Sequence, residues 1–222
     1  MSLDLLSAQN KVWEQLSQIG TSERVGSAYL FSGPTGCGKE GLAIRFSQLL
    51  NCDLPGKTPC DTCPSCHRFH QLQHEKLKLI FPLPIVKKNK DEESGELSPV
   101  GKGDMELVTD AIAKKSEDFF YKIQIPRSNR ILIQSVRELR RTLYLKSDPK
   151  GRKIVLIFDA HLLSAGQGEA ANALLKILEE PPDNTTLILV TDHVELLLPT
   201  ILSRCQRVGI PKLEDGFVRD WL

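Results

Sequence analysis

The chain has almost no net charge. Its 222 residues carry 29 Lys+Arg against 28 Asp+Glu, a formal balance of +1. No global field therefore draws it onto nucleic acid or an anionic membrane; net charge says nothing of local patches. It also lacks any apolar run of membrane-spanning length, which excludes a transmembrane helix. Residues Met1 to Asn10 lack the charged and apolar regions of a secretory signal. These absences lead to the expectation of a cytoplasmic protein without a membrane partner. In that compartment the 6 cysteines read as metal ligands or buried thiols, not as a disulfide framework. There is no internal repeat. What remains is ordinary globular composition, 41% hydrophobic and 26% charged, in a chain long enough for one large core or one core plus a small appendage.

Periodicity gives the class. Leu5, Leu6, Val12, Leu16 and Ile19 recur at near-helical spacing and predict an amphipathic helix ended by Gly20. Ala28 to Phe31 is a short apolar run that enters a glycine-rich loop, and Leu42, Ala43, Phe46, Leu49 and Leu50 form a helical face after it. Lys78 to Phe81 reads as a strand, and Lys87 to Gly103 as a charged, flexible insertion. A helix is expected around Asp104 to Phe120, and another over Ile131 to Leu145. Lys153–Phe158 and Thr185–Val190 are continuous β-branched-rich runs, the pattern of strands covered on both faces. Between them lies a helix over Gly168 to Glu180, stopped by Pro181 and Pro182. Alternation of strand and helix predicts a doubly wound α/β parallel sheet.

Gly33-Pro34-Thr35-Gly36-Cys37-Gly38-Lys39-Glu40 fits G-x-x-x-x-G-K-[ST] up to its last position. In such a loop, backbone amides and a helix N-terminus receive phosphate oxygens, and the lysine reaches the outer phosphates. The final hydroxyl would hold magnesium, but Glu40 stands there. A working motor also needs an acidic pair after a buried strand. Asp159 is present as a candidate magnesium ligand or simply a turn residue. Ala160 occupies the place of the catalytic acid. Gly33, Gly36, Gly38, Lys39, Glu40 and Asp159 thus outline a degenerate nucleotide site. The residues predict no ATP hydrolysis and leave open whether ATP and magnesium still bind.

Cys52, Cys60, Cys63 and Cys66 form C-x7-C-x2-C-x2-C. Four thiolates so spaced can surround zinc tetrahedrally, and with all four positions filled by protein the site is structural. His67 and His70 are read as helix residues and Cys205 as buried packing.

Together the phosphate loop, the four-cysteine insert, Asn172-Ala173-Leu174-Leu175-Lys176-Ile177-Leu178-Glu179-Glu180-Pro181-Pro182 and Ser203-Arg204-Cys205 resemble the bacterial DNA polymerase III clamp-loader ATPases of the AAA+ class. The resemblance spans about Leu5 to Pro211 and implies a P-loop NTPase (AAA+) fold over 1–210. The zinc module then covers 52–66, a charged insertion covers 84–126, and 211–222 begin a lid in a piece of a longer protein. Glu40, Ala160 and the charged run Thr191 to Leu196, where a small polar sensor is expected, side with the family's delta-prime branch. That branch implies an arginine finger, Arg204, given in trans to a neighbouring motor subunit. It also implies motor and delta subunits, the sliding clamp and primed DNA as partners, and an isolated piece that is monomeric. Arg137, Arg140 and Arg141 could face template phosphates or simply line an amphipathic helix. Two rivals remain: an active gamma/tau-type motor that tolerates Glu40, and a zinc-dependent nucleic-acid-binding regulator on an ATPase-like fold. The near-neutral charge argues against the second.

Overall fold

The fold was described from a computed structural model, which covers residues 5–22, 24–84, 102–145 and 150–221. The amphipathic N-terminal segment forms two pieces, α1 (Leu5–Ala8) and α2 (Asn10–Thr21), and not one helix. The break has a tertiary cause. The Gln9 side-chain amide donates to the carbonyls of Cys37 (3.0 Å) and Pro211 (2.8 Å), which pins the junction against the phosphate loop. β1 (Ala28–Ser32) leads into that loop, and α3 (Lys39–Leu49) follows it. Next come α4 (Pro64–His70), β2 (Leu77–Ile80) and α5 (Lys102–Glu117). Most of the charged stretch read from Lys87 lies outside the described residues, but Lys102 and Gly103 already belong to α5. The remaining elements are α6 (Ile133–Leu143), β3 (Lys153–Ile157), α7 (Glu169–Glu179), β4 (Thr185–Thr191), α8 (Pro199–Leu202), β5 (Gln206–Gly209) and α9 (Asp215–Trp221).

All five strands are parallel, in the order β2-β3-β4-β1-β5. Side chains alternate across each strand, and both faces are covered. Tyr29 and Phe31, Ile154 and Leu156, and Ile188 and Val190 point into one layer with Trp13, Leu16, Phe46 and Phe69. Leu30, Val155, Ile157, Leu187 and Leu189 point into the other, against Val136, Leu139, Leu174 and Ile177. This two-sided burial explains the unbroken apolar runs in the sequence. Among the described residues no helix is long and apolar enough to cross a membrane.

Because the strands are parallel, their C-terminal ends lie along one edge, where ligands of α/β sheets bind. β1 sits beside β4, and β4 beside β3. The phosphate loop, Asp192 and Asp159 therefore emerge next to one another.

Candidate functional site

The loop has the backbone its glycines predict. Gly36 and Gly38 have φ of +79° and +82°, a region glycine enters at little cost. A Cβ on Gly33 would lie 2.2 Å from the Ile210 carbonyl oxygen, so only hydrogen fits there.

The loop's charges are already matched within the chain. The Lys39 ammonium makes a close ion pair with Asp192 and donates to the Pro34 carbonyl at 3.0 Å. Thr35 Oγ1 donates to Asp192 Oδ2 at 3.0 Å. Lys122 reaches Asp159 Oδ1 at 2.8 Å and Asp192 Oδ2 at 3.3 Å. Glu40 pairs closely with Lys115, which also donates to the carbonyls of Phe119 (2.8 Å) and Tyr121 (2.6 Å). An ammonium has three donors, so Lys115 is fully satisfied. Three lysines thus face three carboxylates, which leaves no net positive charge to receive phosphate.

Burial alone would raise the Asp192 carboxyl, but Lys39 first, then Lys122 and Thr35, outweigh it and hold its pKa below the ordinary value. Burial likewise acts to lower Lys122, yet Asp159 and Asp192 keep it above the usual lysine value. For Lys115 burial wins over Glu40, and its pKa falls.

Space is short as well. The cavity between loop and insertion, lined by Gly36, Gly38, Lys39, Glu40, Phe119 and Lys122 among others, holds about 120 Å³. Sites that enclose a small-molecule ligand hold roughly 300–1,000 Å³. A wider cleft of about 490 Å³ opens beyond Lys122, past Asp159, His161 and His193, but no loop residue lines it.

Asp159 sits in a left-handed turn with φ 48° and ψ 45° and pairs with Lys122, so turn residue and charge partner are the same residue. Ala160 is fully buried. Thr191 Oγ1 accepts from the His193 amide and bonds His161 Nδ1, both at 3.0 Å, which fixes the edge of β4.

At the other end of α3 the four cysteines converge. One ligand atom from each of Cys52, Cys60, Cys63 and Cys66 lies within 4.8 Å of the others, and Cys60 and Cys66 sulfurs are 3.9 Å apart. A zinc–sulfur bond of ~2.3 Å places tetrahedral sulfurs ~3.8 Å apart, so the group fits a metal ion of that size. Backbone amides of Cys60, Cys63 and Cys66 donate to the sulfurs of Cys52, Cys60 and Cys63 at 3.5, 3.3 and 3.3 Å. Hydrogen bonds from Thr62, side chain and amide, pull the Cys60 thiol down to about 6. The module is docked firmly on α3. Arg45 makes a two-pronged pair with Asp61, Gln48 donates to the Cys66 carbonyl at 3.1 Å, and Ser65 to the Asn51 carbonyl at 2.7 Å. His67 and His70 lie on α4.

The structure does not bring Arg204 to this phosphate loop. It lies just after α8, exposed, with Nη2 2.9 Å from Glu179 Oε1 and Nη1 donating to the Thr200 carbonyl at 3.0 Å. Cys205 beside it is buried with α7 and α8, and burial pushes its thiol up to about 11. Lys115 and Lys122 escaped sequence reasoning. The available signal was Glu40, an acid in a loop that calls for a cation partner.

The parallel order, the loop after β1 and the acid after β3, with β4 between the two strands, define a P-loop NTPase fold of the AAA+ class with an inserted cysteine module. A family model described as "DNA polymerase III, delta subunit" matches residues 8–214, and the chain belongs to that family. Delta-prime subunits of DNA polymerase III from Bacillus subtilis (28% identity over 96% of this chain and 51% of theirs) and Pseudomonas aeruginosa (27% over 99% and 52%) are similar to it. So is the Bacillus subtilis tau subunit, at 27% over 92% of this chain and 28% of its own. The chain spans about half the length, or less, of these relatives. A gamma subunit-related DNA polymerase III protein from Thermotoga maritima shares the fold, with a TM-score of 0.52 at 21% identity over 94% of this chain and 48% of that one.

Proposed function

We propose that this chain is a delta-prime-like subunit of the DNA polymerase III clamp loader in the cytoplasm, acting in the loading of the sliding clamp onto primed DNA. Its own ATP site is idle, and Arg204 is the arginine finger of a neighbouring motor subunit's site. The observation that carries this reading is the pairing of Lys39 with Asp192. A phosphate-loop lysine neutralised by its own chain has no charge left for a γ-phosphate. Arg204 is the opposite case, an exposed guanidinium tied to the exposed Glu179, to the Thr200 carbonyl and, at 3.5 Å, to Ser203 Oγ. Its planar fork suits charge stabilisation on a transferring phosphoryl group, a role lysine fills poorly. Cys52, Cys60, Cys63 and Cys66 hold a structural zinc that shapes the loop between α3 and α4. Arg137, Arg140 and Arg141 are exposed on α6 and are available for template phosphates.

The test is reconstitution of the loader with its motor subunits and an Arg204→Ala chain. The site completed by this subunit is expected to lose about 10³-fold or more of its DNA-stimulated turnover, as for other trans-acting fingers. Unchanged turnover would defeat the finger. Sustained ATPase by the wild-type chain alone would favour a gamma/tau-type motor instead.

A further inference from the structure

Two anomalies in this chain explain each other. The first is Glu40, a carboxylate at the start of α3 where a phosphate loop calls for a hydroxyl. The second is Lys115. On α5, Val108, Ala111 and Ile112 pack against the core, and Lys115 continues that stripe at i, i+3, i+4 and i+7. A lysine on the docking face of a helix, here 1% exposed, is costly unless a carboxylate meets it. Glu40 meets it.

The contact extends beyond one pair. A Cβ on Gly41 would fall 2.9 Å from Phe119 Cβ, and one on Gly38 3.4 Å from a Phe120 ring carbon. Phe120 therefore lies on a glycine of the loop and Phe119 on the first turn of α3. Lys122 then bridges Asp159 and Asp192 at the ends of β3 and β4. Over eight residues the segment thus engages carboxylates from three separate elements.

We propose that α5 and the turn after it, residues 102–122, are the resident occupant of the phosphate pocket, keyed into it by Lys115 on Glu40. On this account the carboxylate at position 40 is a receptor for the insertion, and not a damaged magnesium ligand. The segment holds the loop in the place of nucleotide and metal. This goes beyond the function proposed above, which any idle site would satisfy.

Amide hydrogen exchange on the full chain tests it. Glu40→Gln removes the counter-charge of the buried Lys115 ammonium and leaves it only neutral acceptors, among them the Phe119 and Tyr121 carbonyls. Exchange in residues 102–122 and in the loop 33–40 is expected to rise about a hundredfold or more, while β3, β4 and the cysteine module stay protected. The double variant Glu40→Thr with Lys115→Met removes both charges and keeps the apolar stripe continuous, so protection of 102–122 should return. Unchanged exchange of 102–122 in Glu40→Gln would overturn the proposal. So would even loosening of the whole chain that the double variant fails to reverse, because the pair would then be only a core element. Neither measurement involves Arg204, so failure here and failure of the trans-acting finger are separately visible.

Discussion

Helix α3 carries a ligand cradle at each end, and the two are finished in opposite ways. At its N-terminus the phosphate loop is closed by the chain itself, with Lys39, Lys115 and Lys122 matched to Asp192, Glu40 and Asp159. Beyond its C-terminus, four cysteine sulfurs converge within 4.8 Å, held by amides of their own loop. Four thiolates brought that close would repel one another without a cation between them, so the second cradle is one that can hold a metal ion. The difference teaches that two cradles on one helix can diverge in charge: in one the inward charges are paired within the chain, in the other four sulfurs face one another.

The cysteine end should give the largest effect. Purified protein is expected to hold one zinc per chain by elemental analysis. Chelation or Cys66→Ser should then expose the buried Phe69 and His74 stack (centroids 4.1 Å apart) and lower the thermal midpoint. Structural zinc supplies about 10–16 kcal/mol of apparent binding energy in small fingers. A metal-free chain of unchanged stability would erase the contrast. At the phosphate end Lys115→Ala leaves Glu40 without its cation and should cost about 3–5 kcal/mol in denaturant unfolding. The neutral pair Glu40→Thr with Lys115→Met should recover most of it. A cost as large in the double variant would mean that packing, and not charge matching, closes this cradle.

Acid gives a smaller and more selective effect. The pKa of Asp192 is lower folded than unfolded, although burial opposes this, because Lys39, Lys122 and Thr35 favour the carboxylate. Between the folded value and the unfolded value near 3.8 the unfolded chain binds more protons, so stability rises with pH there. The contribution is present above 3.8 and is lost as pH falls through the folded pKa. Asp192→Asn should flatten that part of an acid-unfolding curve; an unchanged slope would show that Asp192 is not a principal partner. The smallest effect belongs to an ion pair outside both cradles. Arg204 and Glu179 are 35% and 50% exposed, and Glu179→Ala should change stability by less than about 1 kcal/mol. A larger loss would give the surface arginine a structural duty that the present reading denies it.

Much of this was legible where the signal is local. The runs Lys153–Phe158 and Thr185–Val190 gave β3 and β4 because sheet burial on both faces leaves an unbroken apolar string. The loop and the cysteine spacing could be read because their geometry is set within fifteen residues. Other features depend on distant contacts. Residues 40 and 115 are 75 positions apart, so neither charge announces its partner. Gln9 breaks the N-terminal helix through carbonyls 28 and 202 positions away. β5 is four residues long with only Val208 buried, too short for alternation to show, and exists because β1 has a free edge to pair. In the sequence Asp192 belonged to a charged run standing where a small polar sensor is expected; in the fold it is the counter-ion of Lys39.

The central claim is that the phosphate cradle is filled from within. Equilibrium titration of the wild-type chain with fluorescent ATP in the presence of magnesium tests it most directly. The account predicts no saturable binding up to about 1 mM, an affinity weaker than roughly −4 kcal/mol. Saturation in the micromolar range, with release of Lys39 from Asp192, would contradict it.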